Sequence, residues 1–172
     1  MTLIIGIDPG SRRTGFGVVN ARGNRIAYVA SGVIRLSASE LPERLGVIFS
    51  NVSELIATHG PVQMAVEEVF LARDPRAALL LGQARGAAIV AGVQAGLTIA
   101  EYSARTVKKA VVGTGAATKM QVQQMIMRLL ALPAAPAEDA ADALAVAICH
   151  AHSGCVGIAL AGPRHYVRGR LI

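Results

Sequence analysis

Acidic side chains are scarce in this sequence. Only 11 Asp and Glu stand against 17 Lys and Arg over 172 residues, and Asp occurs just four times, at Asp8, Asp74, Asp139 and Asp142. The formal charge of +6 and a pI near 10.0 point to a polyanion or an acidic surface as partner. Half of that excess belongs to Arg164, Arg168 and Arg170 in the final stretch, so the placement of the four Asp is the more informative feature. Cysteine is nearly absent too: Cys149 and Cys155 are too few for a disulfide framework and fit a reducing compartment. The run they enclose, with His150 and His152, has the spacing of no usual zinc module, and histidines at a helix C-terminus already complement its dipole. A phosphate-binding loop is missing, because G-x4-GK[ST] begun at Gly113 needs Gly and Ser or Thr where Thr118 and Met120 stand. Long uncharged runs are missing as well. The longest, residues 86–100, is interrupted by Gly92, Gln94 and Gly96, and no cationic apolar leader opens the chain, so a cytoplasmic protein without a membrane partner is expected. No internal repeat and no second domain is evident. An apolar content of 53% and a mean hydropathy of +0.48 exclude general disorder and suit one domain with a sizeable core.

What is present is organised around Ile4-Ile5-Gly6-Ile7-Asp8-Pro9-Gly10-Ser11. An apolar β-branched run that stops at a carboxylate and is followed by Pro and Gly predicts a central strand delivering Asp8 to a sheet edge. Gly10, Gly15 and Gly17 are expected to let the chain fold back into an antiparallel second strand over residues 14–19. A turn at residues 20–24 and a third strand over 25–35 complete a meander. Leu41, Leu45, Ile48, Val52, Leu55 and Ile56 recur at helical spacing up to Gly60-Pro61. Residues 62–69 then read as a fourth strand after a crossover helix. A loop over 70–76 precedes a helix over 77–93 that is apolar on nearly every face. One side suits the sheet and the other a subunit interface or further burial within the monomer. A fifth strand (97–100), a short helix (103–111), a helix capped by Thr118 and a last helix (138–152) follow. The expected architecture is α/β, a five-stranded mixed sheet flanked by helices. Its single folded domain spans residues 1–153, and a basic tail expected to be flexible spans 154–172.

The chemistry lies with the acids. Glu67 and Glu68 end a parallel strand, at the edge where open α/β sheets place their sites. Side chains alternate along a strand, so only one of the two faces Asp8, and the pattern leaves open which. Asp139 and Asp142, at i and i+3, share one helix face. Acids in a first helical turn complement the macrodipole without any further role, yet Asp142 interrupts an apolar run, Ala140 to Val146, where a core-facing helix ordinarily carries no charge. Carboxylates converging from strands and a helix repel unless a cation lies between them. Hard oxygen donors suit Mg²⁺ or Mn²⁺, and two such ions about 4 Å apart promote in-line phosphoryl displacement.

The motifs GIDPGSRRTGFGV, AVEEVF, LGQARG and DAADALA, in that order and with this succession of elements, resemble the RuvC family of Holliday-junction resolvases and its ribonuclease H-like fold. The resemblance covers the chain to about residue 152. It implies that Asp8, Glu67, Asp139 and Asp142 are the metal-binding catalytic acids, so that Glu67 is chosen over Glu68, with Mg²⁺ (Mn²⁺ as substitute) as cofactor, two ions per site. It further implies a homodimer that nicks two opposed strands of a four-way DNA junction symmetrically, leaving 5′-phosphate and 3′-hydroxyl ends, in the bacterial cytosol after the RuvA–RuvB branch-migration complex. Phe70 matches an aromatic inserted near the branch point, and Lys108 and Lys119 match basic residues placed toward the scissile phosphate. Arg73, Arg76 and Arg105 are assigned to the phosphate backbone. Three alternatives fit less well: a sugar-kinase or actin-like nucleotide binder, which needs two such domains, a nuclease of RNA precursors, and a non-catalytic nucleic-acid binder.

Overall fold

Glycine and β-branched residues alternate along the first two strands, and that alternation decides how the domain is layered. The computed structural model describes residues 1–37, 40–68 and 74–155, together with a strand pair at 166–167 and 170–171. Strands β1 (Thr2–Asp8), β2 (Arg13–Arg22) and β3 (Arg25–Arg35) form the expected meander. The turn between β2 and β3 is tighter than the sequence suggests. It is confined to Gly23-Asn24, with Gly23 at φ +56, a left-handed conformation that costs glycine nothing. Helix α1 (Leu41–His59) buries Ile48, Val52 and Ile56 and is stopped by Gly60, whose φ of 62 turns its N–H back to the Ile56 carbonyl. Strand β4 (Gln63–Glu67) and helix α2 (Pro75–Gln94) follow, the latter capped by the Asp74 carboxylate on the Arg76 N–H. Then come β5 (Thr98–Tyr102), α3 (Ala104–Val112), α4 (Lys119–Leu129) and α5 (Glu138–Cys155). Thr118 and Gln121 form a capping box on α4. Beyond α5, β6 (Tyr166–Val167) and β7 (Arg170–Leu171) pair antiparallel.

The main sheet runs in the order β3-β2-β1-β4-β5. β1 pairs antiparallel with β2, placing Asp8 opposite Gly15, while β4 lies parallel to both β1 and β5. This is the expected five-stranded mixed sheet flanked by helices. Alternation sends Ile5, Ile7, Val18, Met64 and Val66 toward α1 and α2. Ile4, Val19, Ala65, Ala100 and Tyr102 face α5, whose Leu144, Val146 and Ile148 are fully buried. Each such aliphatic side chain contributes about 1.5–3 kcal/mol by leaving water.

Two glycines expected to serve the turn after β1 act otherwise. Gly15 and Gly17 lie inside β2, and a Cβ at either position would collide with α5: at Gly15 with the Asp139 carbonyl, at Gly17 with Leu144. They let the helix approach the sheet, as does Gly6 beneath Ala143 and Ala147. Helix α2 is 20 residues long and apolar enough to cross a membrane by length and composition alone. Here it packs through Ala84, Ala88 and Ala91, and its Arg85 is paired with Glu101 at 2.6 Å.

Candidate active site

Parallel strands β1, β4 and β5 all end at one edge of the sheet, and α5 begins there. Asp8 is the last residue of β1 and Glu67 the last of β4. Parity settles the choice that the strand pattern leaves open. Glu67 lies two residues past Ala65, on the α5 side, whereas Glu68 follows the sequence of Met64 and Val66 toward α1 and α2. The helix supplies Asp139 and Asp142 one turn apart, on the face that crosses Gly15. All four carboxylates line one cleft of about 310 Å³, with Lys108 of α3 and Lys119 of α4. Ala104, Val107, Val122 and Ala145 form its apolar wall. Three helices present their first turns to this cleft, so their N–H groups and positive dipole ends favour anions within it.

The carboxylates pay for this proximity in acidity. Asp8 is pushed up to about 8, mainly by burial and then by the charges of Glu67, Asp142 and Asp139, with Lys119 acting in the opposite direction. Burial also raises Glu67, helped by Asp142 and resisted by Lys119 and Lys108. Asp142 is raised by burial against the pull of Lys119. The Lys119 ammonium donates to Glu138 at 2.5 Å and lies 3.6 Å from Asp142, a pairing that raises the lysine and lowers Glu138. Arg13 reaches the Asp139 carboxylate at 3.9 Å. Positive charge is therefore drawn to the acids from two sides.

Among the described residues, no three His, Cys, Asp or Glu side chains stand close enough together to hold a metal ion; the four acids share the walls of the cleft without converging to ligating distance. The donor set nevertheless fits a hard divalent cation. It is all oxygen, and its mutual repulsion and desolvation are what a cation relieves.

The other residues singled out from the sequence fall elsewhere. Arg76 is exposed on the first turn of α2 and Arg105 is exposed on α3, its side chain against Gly115; neither lines the cleft. Phe70 and Arg73 lie outside the described residues. Glu138, which the sequence reading passed over, holds Lys119; its position beside Asp139 in the first turn of α5 was the available signal. At the far end of that helix Cys149 is fully buried, its thiol pushed up to about 12 by burial. His150 sits between the Tyr102 hydroxyl (2.8 Å) and Gln63 (3.1 Å).

A family model described as "Crossover junction endodeoxyribonuclease RuvC" matches residues 4–150. The chain is similar to the protein of that description from Teredinibacter turnerae, at 58% identity over 177 aligned residues and the full length of both chains. It is 62% identical over 152 residues to the one from Stutzerimonas stutzeri, covering 88% of this chain and 87% of that one. A solved structure of Thermus thermophilus RuvC in complex with a Holliday junction substrate superposes with a TM-score of 0.86 at 36% identity, covering 91% of this chain and 97% of that chain.

Proposed function

The chain belongs to the RuvC family of crossover junction endodeoxyribonucleases, and on that premise we propose that the carboxylate cleft is where it cuts four-way DNA junctions. The enzyme is a metal-dependent nuclease of ribonuclease H-like fold that resolves Holliday junctions. Asp8, Glu67, Asp139 and Asp142 act as its catalytic acids and would together hold Mg²⁺, with Mn²⁺ as substitute, two ions per site. The observation that carries this reading is the meeting of four acids from two strands and one helix in a single cleft, where burial and the neighbouring acids push Asp8 up to about 8. When bound, the metal supplies Lewis-acid stabilisation of the phosphodiester and an activated water.

The chain's own groups do the rest. Lys108 and Lys119 bring positive charge to the scissile phosphate, and Lys119 can exchange its contacts with Glu138 and Asp142 for phosphate oxygens. The apolar wall of Ala104, Val107, Val122 and Ala145 lowers the local dielectric, which strengthens each of these interactions. Symmetric nicking of two opposed strands, leaving 5′-phosphate and 3′-hydroxyl ends, requires two such sites and hence a homodimer. Helix α2 supports one. Leu79, Val90 and Val93 are exposed on it, and Gly82 and Gly86 fall on the same stripe at i+3 and i+7 from Leu79, where among the described residues nothing outside the helix lies within 4 Å of an added Cβ. A second copy packed along this stripe covers it. Sedimentation of Val90→Arg checks the point: a monomer is expected, and a parental dimer contradicts this interface. Phe70, Arg73, Arg76 and Arg105 remain assigned to junction DNA, and the enzyme to the bacterial cytosol at the nucleoid, acting after RuvA–RuvB.

The experiment compares nicking of a synthetic four-way junction, a linear duplex of the same sequence and an RNA–DNA hybrid, in Mg²⁺ and in EDTA. Paired, Mg²⁺-dependent nicks in the junction alone are expected. Equal cutting of the duplex contradicts structure selection, and binding without any cleavage contradicts catalysis.

A further inference from the structure

The carboxylate cleft is one of two that meet at Asp139. Beside it lies a cavity of about 330 Å³ whose lining includes Arg12, Arg13, Arg35, Ser37, Glu138 and Asp139. Arg13 opens β2 and Arg35 closes β3, and the register sets them directly opposite one another. They continue the row of Gly15 and Val33, so both stand on the α5 side of the sheet. Arg12 is fixed next to them, because its carbonyl accepts the Leu36 N–H at 3.1 Å. Like charges directly opposite across strands are destabilising, and the local counter-charge is thin. Arg13 has Asp139 at 3.9 Å, and among the described residues Arg12 and Arg35 have no ion pair. Three guanidinium groups therefore line one concave site against two carboxylates, Asp139 held loosely by Arg13 and Glu138 already engaged by Lys119.

Guanidinium forks match phosphate oxygens, and a site that accepts repulsion in the free protein gains most from an anion. A nucleic-acid strand carries a phosphate for about every 3.4 Å of helix axis. A strand whose phosphodiester lies over Asp8, Glu67 and Asp142 thus brings neighbouring phosphates into the adjoining cavity across Asp139. We propose that Arg12, Arg13 and Arg35 form a phosphate subsite that holds the backbone of the cleaved strand beside the scissile phosphate. The subsite rests on the nuclease reading of the adjoining cleft. It is distinct from the lysines there, and it steers the strand rather than performing chemistry.

The test uses junction binding by the full chain in EDTA, with log K followed against log salt. Each phosphate contact contributes about 0.9 to the slope, so R12Q/R35Q should flatten it by about 2 and each single substitution by about half as much. R22Q/R25Q removes the same charge at the opposite end of the same two strands, where Arg22 and Arg25 also face each other, and should leave the slope unchanged. Both doubles relieve repulsion and should melt no lower than the parent. Equal flattening in both doubles would reduce the effect to net charge and overturn the subsite. A parental slope in R12Q/R35Q, with the parent cutting junctions in Mg²⁺, overturns the subsite and leaves the nuclease reading standing. A parent that neither binds nor cuts junctions removes both.

Discussion

The two faces of the sheet follow different rules. Toward α1 and α2 the strands present large side chains, Ile5, Ile7, Val18, Met64 and Val66, which interdigitate with Ile48, Val52, Ile56 and the alanines of α2. Such a surface tolerates small changes of volume because many contacts share the adjustment. Toward α5 the strands present glycine at Gly6, Gly15 and Gly17, and the helix backbone lies directly upon them. Nothing larger than hydrogen fits there. Both faces bury apolar side chains, but the glycine face also fixes the height and rotation of α5 and hence where Asp139 and Asp142 stand relative to Asp8 and Glu67.

The comparison can be broken by single substitutions, the most severe first. Asp8→Asn keeps the shape of the cleft and removes one charge from the proposed metal site; junction cleavage should fall by at least about 100-fold while binding in EDTA persists, and cleavage at the parental rate would remove Asp8 from the chemistry. Gly15→Ala drives a methyl into the Asp139 carbonyl. It should cost about 1–3 kcal/mol of stability by denaturant unfolding, and cleavage per folded molecule should also fall by about 100-fold because the helix acids are displaced. Ile7→Val on the opposite face should cost about 0.5–1.5 kcal/mol with the rate per folded molecule unchanged. If the two variants lose activity alike, the division between faces is wrong.

The effect of pH sharpens the same contrast. Burial and the neighbouring acids push Asp8 from its ordinary value of 3.8 up to about 8 in the folded protein, so the folded state retains a proton that the unfolded chain releases from about pH 4 upward. Its contribution to stability is therefore full below about pH 4, declines as pH rises and is lost by about pH 8. In EDTA, Asp8→Asn should melt progressively higher than the parent across that window, with the gap constant above it. A gap that narrows as pH rises contradicts the raised value.

Much of this was legible in the sequence because its signals are local. The periodicity of Ile48, Val52 and Ile56, the stop at Gly60-Pro61, the Thr118 cap and the acid ending each of β1 and β4 are set by near neighbours. The role of Gly15 and Gly17 was not legible, since what excludes a side chain there is a helix more than 120 residues away in the chain. Between Glu67 and Glu68 the strand pattern was silent; the resemblance named Glu67, while the physical reason, the sheet's orientation toward α5, lies in the fold. The opposed Arg13 and Arg35 emerge only once the hairpin register is known. Local chemistry announces which residues are unusual, and long-range packing determines what they face.

In the proposed site, burial and mutual repulsion hold Asp8 protonated until a divalent cation enters among the four carboxylates. Carbon-detected NMR titration of the Asp8 carboxyl, in EDTA and in saturating Mg²⁺, tests it most directly. The account predicts a midpoint near 8 without metal and a fall of more than about one pH unit with Mg²⁺, the shift expected when an opposite charge enters the site. An ordinary aspartate midpoint without metal, or the same midpoint in both conditions, would contradict it.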